Sequence, residues 1–217
     1  MSREQRFTEI FRTNEFQSKE SKSGVGSELS QTEIIRREIP KLLEKLGVWT
    51  LIDAPCGDCN WIKLIWPQIN KYVGVDIVED LIASNAKSYG SLFTSRYNGD
   101  SIRFLKSDIV EDRFPEGLGE LLLCRDCLVH LSFESAKRVL RNFANSDIPF
   151  LLTTTFSNHS NSDFPDGTNW YPINLTLQPF NLPQPAILIN EGCTEGNGEF
   201  SDKSLGLWVR ESLIGKV

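Results

Sequence analysis

The sequence predicts an α/β protein with a doubly wound, mostly parallel sheet between two layers of helices. Short apolar runs that suit buried strands alternate with amphipathic helical patterns, and a parallel sheet requires that order. The first clear run ends at Asp53, turns through Pro55 and Gly57, and continues into a helix-like segment. A second apolar run ends in another acid, Asp76. These two strand ends predict where a ligand binds.

The individual elements follow from the apolar periodicity. Arg3–Arg12 predicts a helix with Phe7, Ile10 and Phe11 on one face, and the capping-box pattern Ser30–Glu33 starts a helix that ends at Gly47. Further helices are predicted near 59–66, 79–89 and 133–145, and strands near 49–53, 71–76, 102–106, 120–125, 149–155, 186–190 and 205–210.

Length and composition restrict the class of protein. The 217 residues suit a single domain, 1–217, with ordinary apolar (40%) and charged (24%) content. No apolar run approaches the ~18 residues that span a bilayer, and the charged start lacks an apolar signal core, so we expect a cytoplasmic protein without a membrane partner. The net charge of −6 argues against a nucleic-acid partner.

Two segments lie outside the regular alternation. Residues 1–30 are expected to form the N-terminal helix and a lid-like loop. Residues 157–185 carry five prolines and many asparagines, so they cannot form one regular helix. Phe164, Trp170 and Tyr171 give this insertion apolar surface for packing. We expect either an irregular insertion that faces the substrate or a cover over the sheet.

The strand–turn–helix segment around Gly57 is typical of nucleotide-cofactor sites. Backbone N–H groups at such a turn hold polar or anionic ligand groups. An acid about 20 residues further on binds a ribose diol, which matches Asp76. The alternative for Asp76 is that it only caps the following helix.

Four segments in this order resemble class I S-adenosylmethionine-dependent methyltransferases: Asp53-x-x-x-Gly57, Gly74–Ile77, Ser107–Ile109 and Leu121–Ser132. The DAPCGD form of the first turn is similar to that of a bacterial subgroup. The resemblance implies a seven-stranded Rossmann-like sheet in three layers, with S-adenosylmethionine (SAM) as the cofactor. It places Asp76 at the ribose, Asp108 at the adenine unless it caps a helix, and Asp53 at the methionine portion. The implied cofactor-binding residues are Asp53, Pro55, Gly57, Asp76, Ile77, Asp108, Ile109, Cys124, Arg125, Ser23 and Gly24.

The same resemblance implies catalysis near the end of the fourth strand. Methyl transfer to an alcohol requires removal of the hydroxyl proton. Asp126 and His130 are the catalytic candidates: Asp126 as the base or as the group that orients His130, and His130 as the base or as a core histidine. Arg125 either neutralises an anionic substrate or pairs with Asp126. His159 is a second candidate base, and Glu191 and Glu195 either bind substrate hydroxyls or are solvated.

Three functions remain open. The first is O-methylation of a small-molecule acceptor, such as a sugar or glycan precursor. The second is a nucleotide-dependent Rossmann oxidoreductase or epimerase, although Pro55 and Cys59 stand where close approach to a pyrophosphate requires glycine. The third is a zinc-stabilised binding module held by the Cys56/Cys59 and Cys124/Cys127 pairs. The 64 residues between Cys59 and Cys124 exceed the usual zinc-ribbon spacing, so we expect no metal.

Overall fold

A seven-stranded sheet forms the centre of the structure, a computed structural model that describes residues 1–90 and 102–217. The strand order is β3-β2-β1-β4-β5-β7-β6; β7 runs antiparallel to β5 and β6, and the pairs among β1–β5 are parallel. This confirms the doubly wound, mostly parallel fold. The strands are β1 (Thr50–Asp53), β2 (Lys71–Asp76), β3 (Ile102–Lys106), β4 (Leu121–Cys124), β5 (Phe150–Phe156), β6 (Ile187–Asn190) and β7 (Lys203–Val209).

Helices cover both faces of the sheet. The helices of the described residues are α1 (Arg3–Thr13), α2 (Glu33–Leu46), α3 (Glu79–Tyr89) and α4 (Phe133–Ala144). Side chains of α2 and α3 belong to one core cluster and those of α4 to another. Alternation along the central strands separates the two: Leu51 and Leu123 face α2, whereas Ile52 and Leu122 face α4. No helix in the described ranges is long and apolar enough to cross a membrane.

Two helix predictions are wrong in detail. The segment predicted as a helix near 59–66 instead forms two 3-10 turns, Ile62–Leu64 and Trp66–Gln68. Cys59 has a φ of 57°, which an α-helix does not admit, and Pro67 offers no N–H for a helical bond.

The second wrong detail is the capping box at Ser30. Helix α2 begins at Glu33, and its N-cap Thr32 turns its hydroxyl back to the Glu28 carbonyl, 3.0 Å away. Gly47 ends this helix as predicted, in the left-handed conformation with φ 66°.

The insertion at 157–185 contains no helix or strand. It packs on the α4 face of the sheet, where its apolar side chains enter the same core as α4. Ile173, Leu175, Phe180 and Leu182 are all buried there. The insertion therefore takes the place of a helix between β5 and β6.

Candidate active site

A cleft lies at the carboxyl ends of β1, β2 and β4, where open α/β sheets bind their ligands. Its volume is about 1130 Å³, including the part open to solvent. The strand ends form its floor, and residues 1–30, here called the N-terminal segment, form its roof. The roof side chains are Arg3, Phe7, Ile10, Phe11, Phe16, Lys22, Ser23 and Ser27.

The turn after β1 is held rigidly on the floor of the cleft. Cys56 N donates to Val75 O at 2.8 Å, and Gly57 N donates to the Asp76 carboxylate at 3.1 Å. The Asn85 amide of α3 donates to the Gly57 carbonyl at 2.8 Å. Neighbouring elements β2 and α3 therefore hold the turn in place through main-chain and side-chain hydrogen bonds.

Asp58 fastens the N-terminal segment to this turn. Its carboxylate accepts hydrogen bonds from the Ser21 hydroxyl (2.9 Å), Lys22 N (2.8 Å) and the Ser23 hydroxyl (3.2 Å). Ser23 Oγ in turn accepts from Asp58 N at 3.0 Å. Gly57 has a φ of 52°, and any side chain there would meet the Ser23 hydroxyl. Only glycine therefore fits beneath this contact.

Asp76 closes the far side of the turn. Its two carboxylate oxygens accept from Gly57 N (3.1 Å) and Val78 N (3.0 Å), and the residue lines the cleft. Burial raises the pKa of Asp76 to about 6, although these backbone hydrogen bonds act in the opposite direction. At neutral pH the group is therefore mostly a carboxylate with acceptor capacity left for a ligand hydroxyl.

Asp53 lies at the end of β1, buried beneath the cleft. The Tyr72 hydroxyl donates to its carboxylate at 2.6 Å. Burial raises the pKa of Asp53 to about 7, and the hydrogen bond from Tyr72 opposes this rise. A cationic ligand group beside Asp53 would favour its ionised form.

Asp108 has a partner that the sequence did not suggest. Arg3 of α1 donates to the Asp108 carboxylate at 2.6 Å and also pairs with Asp166 at 2.9 Å. The other Asp108 oxygen accepts from Val110 N in a local turn, so the carboxylate caps no α-helix. Arg3 thus ties α1 over the cleft at the end where the adenine was expected.

Five charged side chains converge at the opposite end, and we call them the charge cluster: Arg125, Asp126, Glu191, Glu195 and Lys203. Arg125 pairs with Glu191 at 2.6 Å and with Asp126 at 3.2 Å, and Lys203 pairs with Asp126 at 2.7 Å. Lys203 also lies 4.0 Å from both Glu191 and Glu195. The side chains of Arg125, Glu191 and Lys203 are 4%, 1% and 6% exposed, so Glu191 is not solvated.

These pairs determine the ionisation of the cluster. Burial opposes the charge of Asp126, but Arg125 and Lys203 hold its pKa well below the usual value. Burial likewise opposes the charge of Arg125, and Asp126 and Glu191 nevertheless raise its pKa. Asp126 is therefore ionised but engaged, which makes its carboxylate a weak base. Arg125 lines the cleft, yet its donors are taken by Glu191, Asp126 and the Gly26 carbonyl.

His130 lines the cleft beside this cluster. Its ring stacks on Phe16, with 4.9 Å between ring centroids, and its Nδ1 lies 3.3 Å from the Thr168 carbonyl. Because a carbonyl only accepts, Nδ1 carries the hydrogen and Nε2 is left as the acceptor. Burial lowers the pKa of His130, so the ring is neutral at pH 7. In the described part of the chain, no hydrogen bond joins it to Asp126.

Most of the residues predicted from the sequence lie together along this cleft. Two do not: Cys124 points into the core on the α4 face because of strand alternation, and Gly24 packs against Phe16 without lining the cleft itself. His159 also lies elsewhere, bonded to Asp202 at 3.1 Å. The predicted residues that line the cleft are Ser23, Asp53, Pro55, Gly57, Asp76, Ile77, Asp108, Ile109, Arg125, Asp126 and His130.

The cysteines near the cleft are unpaired thiols. Cys56, Cys59 and Cys127 line the cleft, and Cys124 is buried below it. Within residues 1–90 and 102–217, no three Cys, His, Asp or Glu side chains are grouped as a metal site requires.

Comparison with known proteins relates the fold to one class of enzyme. No family model matches the sequence, and neither does any curated protein. The methyltransferase domain of bacterial CtHen1 superposes with a TM-score of 0.62 at 14% identity, covering 84% of this chain and 98% of that one. Magnesium protoporphyrin IX methyltransferase from Synechocystis PCC 6803, solved with bound SAM, gives 0.58 at 14% identity and covers 83% and 80%.

A third similar structure is the N-methyltransferase NodS from Bradyrhizobium japonicum WM9, with a TM-score of 0.52, 12% identity and coverage of 80% and 94%. The chain therefore has the fold of class I SAM-dependent methyltransferases.

Proposed function

We propose that the protein is a SAM-dependent methyltransferase that methylates a hydroxyl group of a small molecule, with a sugar or glycan precursor as the favoured kind of acceptor. The observation that carries this proposal is Asp76. Its carboxylate ends β2, lies across the turn from Gly57, and retains acceptor capacity towards the cleft. In a methyltransferase fold, that is where a ribose diol receives its hydrogen bonds.

The charge of the cleft supports a cationic cofactor. Among the described residues, five carboxylates line it (Asp53, Asp58, Asp76, Asp108 and Asp126), against three cations (Arg3, Lys22 and Arg125). The sulfonium of SAM is favoured by such an excess of negative charge. The pyrophosphate of NAD would be disfavoured there, and the turn lacks the three glycines that let a backbone approach it closely.

The residues around the cleft fit the parts of SAM. Asp76 would hold the ribose. Asp53, Lys22 and Ser23 would face the methionine portion, with Lys22 supplying a cation for its carboxylate. Ile77, Ile109 and Asp108 would border the adenine. Pro55 and Gly57 would shape the turn beneath the cofactor.

SAM, when bound, supplies a methyl carbon activated by the sulfonium. The protein would position the acceptor oxygen in line with that carbon and remove its proton. His130 is the better of the two predicted bases, because its ring is neutral and its Nε2 has no hydrogen-bond partner among the described residues. The Asp126 carboxylate, in contrast, is engaged by Lys203. Asp126 is then a binding group for the acceptor.

The two irregular segments support this site from opposite sides. We propose that the N-terminal segment acts as a lid, since Asp58 and Arg3 fasten it over the cleft. The insertion at 157–185 would position His130 towards the substrate. Gly167 N donates to the His130 carbonyl at 2.8 Å, and the Thr168 carbonyl orients the ring. The unpaired thiols suit a reducing compartment, so we place the enzyme in the cytoplasm.

Titration calorimetry with S-adenosylhomocysteine and with NAD tests the proposal. We expect saturable binding of S-adenosylhomocysteine and none of NAD. Binding of NAD alone would favour an oxidoreductase. Zinc that is retained through dialysis and lost together with structure on chelation would favour a metal-stabilised binding module.

A further inference from the structure

We propose that the charge cluster is the acceptor-recognition site and that it selects an acceptor that carries a protonated amine as well as the reacting hydroxyl. This inference rests on the proposed function and narrows its substrate class to hydroxylated amines, which include amino sugars and phenolic amines. Asp126 is the residue assigned to contact the ammonium group.

The first observation is the charge of the cluster. Three carboxylates (Asp126, Glu191 and Glu195) face only two cations (Arg125 and Lys203), so the group carries one negative charge in excess. Because the cluster is largely buried, that charge is poorly screened by solvent. A ligand cation that enters from the cleft would compensate it.

The second observation is an unused acceptor. Glu191 Oε1 is buried and has no hydrogen-bond partner among the described residues, although Oε2 of the same carboxylate accepts from Arg125. Buried carboxylate oxygens normally have partners, and an unmet one indicates a missing donor or cation near the cluster.

The third observation is access. Asp126 is 22% exposed and lines the cleft, whereas Glu191 and Lys203 lie behind it. Asp126 Oδ2 is taken by Lys203, but Oδ1 has only a weak contact with the Thr154 hydroxyl at 3.3 Å. Oδ1 is therefore the acceptor left for a ligand ammonium.

The N-terminal segment closes the cluster on the other side. A Cβ on Gly26 would lie 3.0 Å from Asp126 Oδ2 and 3.4 Å from Lys203 Nζ, so the backbone there rests directly on the charges. Asp126 is open to the cleft, and His130 and Phe16 line the same cleft. An acceptor that contacts Asp126 from the cleft therefore lies in the same space as the proposed base.

Anionic acceptors are disfavoured by the same contacts. The donors of Arg125 are taken by Glu191, Asp126 and the Gly26 carbonyl, and Lys203 is held by Asp126. Both cations are already paired with carboxylates of the protein, which weakens their attraction for a ligand carboxylate. Arg125 is thus assigned to pairing within the protein and not to an anionic substrate.

The test uses probes that differ in charge. In the phenol series these are tyramine, 4-ethylphenol and 3-(4-hydroxyphenyl)propionate; in the sugar series they are glucosamine, glucose and glucuronate. Binding is measured by ligand-observed NMR on protein saturated with S-adenosylhomocysteine. In at least one series we expect the amine to bind about tenfold more tightly than the neutral compound, and the acid to bind most weakly.

Asp126→Asn should reduce the advantage of the amine over the neutral probe to threefold or less. Glu116→Gln, which removes an exposed carboxylate outside the cleft, should keep the full advantage. Glu195→Gln serves as a second variant if Asp126→Asn does not fold, and it should weaken the binding of the amine severalfold.

The inference is overturned if no probe binds, if a neutral or acidic probe binds as tightly as the amine in both series, or if the advantage survives in the folded Asp126→Asn protein. These outcomes leave the proposed function standing as long as S-adenosylhomocysteine binds. Absence of S-adenosylhomocysteine binding instead refutes the proposed function itself.

Discussion

The buried carboxylates at the two ends of the cleft differ in whether cations are paired with them. At the β1–β2 end, Asp53 and Asp76 form no salt bridge within the described residues and are held by Tyr72 and by backbone N–H groups. At the β4–β7 end, Asp126 and Glu191 are paired with Arg125 and Lys203. Burial raises the pKa values of the first pair, whereas the cations hold that of Asp126 low.

This difference separates the tasks of the two ends. Uncompensated carboxylates at the β1–β2 end are costly without a ligand and suit a cofactor that brings hydroxyls and positive charge. Compensated carboxylates at the β4–β7 end keep a fixed geometry beside His130. The comparison predicts that mutations at the two ends affect different quantities.

The largest effect is expected on turnover. His130→Ala should lower kcat by roughly 10²–10⁴-fold, the usual contribution of a positioned base, and should change S-adenosylhomocysteine affinity little. The change in kcat is measured by methyl incorporation from labelled SAM into an identified acceptor. His159→Ala is the matched control, since that ring lies off the cleft against Asp202. If His159→Ala loses turnover and His130→Ala does not, the assignment of His130 as the base is wrong.

The next effect is on folding stability at the β4–β7 end. Arg125→Met would remove the closest cation of the buried Glu191 and should destabilise the fold by about 3–5 kcal/mol. Urea denaturation measures the change. Arg138→Met, which removes an exposed arginine paired with Glu111, should cost no more than about 1 kcal/mol. Equal losses of unfolding free energy in the two variants would show that the charge cluster contributes no more to stability than an exposed ion pair.

At the β1–β2 end the effect should fall on cofactor binding. Asp76→Ala removes hydrogen bonds to the ribose and should lower S-adenosylhomocysteine affinity at least tenfold, about 1.4 kcal/mol or more. Calorimetry on the folded variant measures it. Glu116→Ala removes an exposed carboxylate outside the cleft and should leave affinity unchanged. Unchanged affinity in Asp76→Ala would contradict the proposed cofactor.

The smallest effect is a pH-dependent gain in stability in Asp53→Asn. The pKa of Asp53 is raised from 3.8 to about 7, so the folded protein binds the extra proton between these pH values and loses stability as pH rises through them. An asparagine at this position does not ionise, so this loss of stability disappears, and its side-chain oxygen can still accept the hydrogen bond from the Tyr72 hydroxyl. The variant without ligand should gain at least about 1 kcal/mol more, relative to wild type, at pH 8 than at pH 5, because each unit between pH 5 and the raised pKa costs about 1.4 kcal/mol.

Thermal or urea unfolding at the two pH values checks this. Asp126 should behave in the opposite sense, because its lowered pKa makes ionisation stabilising, and that stability is lost as pH falls towards acid values. The contrast between the two ends of the cleft would be refuted if the stabilities of Asp53→Asn and Asp126→Asn, each relative to wild type, changed with pH in the same direction.

The same contrast explains what the sequence could predict. The fold was readable because short apolar runs end at Asp53 and Asp76, and the candidate ribose position follows directly from those strand ends. The charge cluster was not readable, because Lys203 lies 77 residues from Asp126 and Glu191 lies 66 from Arg125. Only the neighbouring positions of β4, β5, β7 and β6 bring them together.

The contacts of the N-terminal segment with the rest of the chain could not be predicted from the sequence for a similar reason. Asp58 reads as an ordinary turn residue until Ser21, 37 residues earlier, is placed beside it. The apolar face of α1 was visible in the spacing of Phe7, Ile10 and Phe11, but periodicity alone does not show that a helix face covers a ligand cleft. Short polar contacts between distant segments carry no local pattern.

The fastening of the N-terminal segment also sets an order for folding during synthesis. Residues 1–30 leave the ribosome before any of their partners, since Asp58, Asp108 and Asp166 all come later in the chain. The segment can complete its docking only when most of the sheet and the start of the 157–185 insertion already exist. The roof of the cleft is thus translated early and acquires its full set of contacts late.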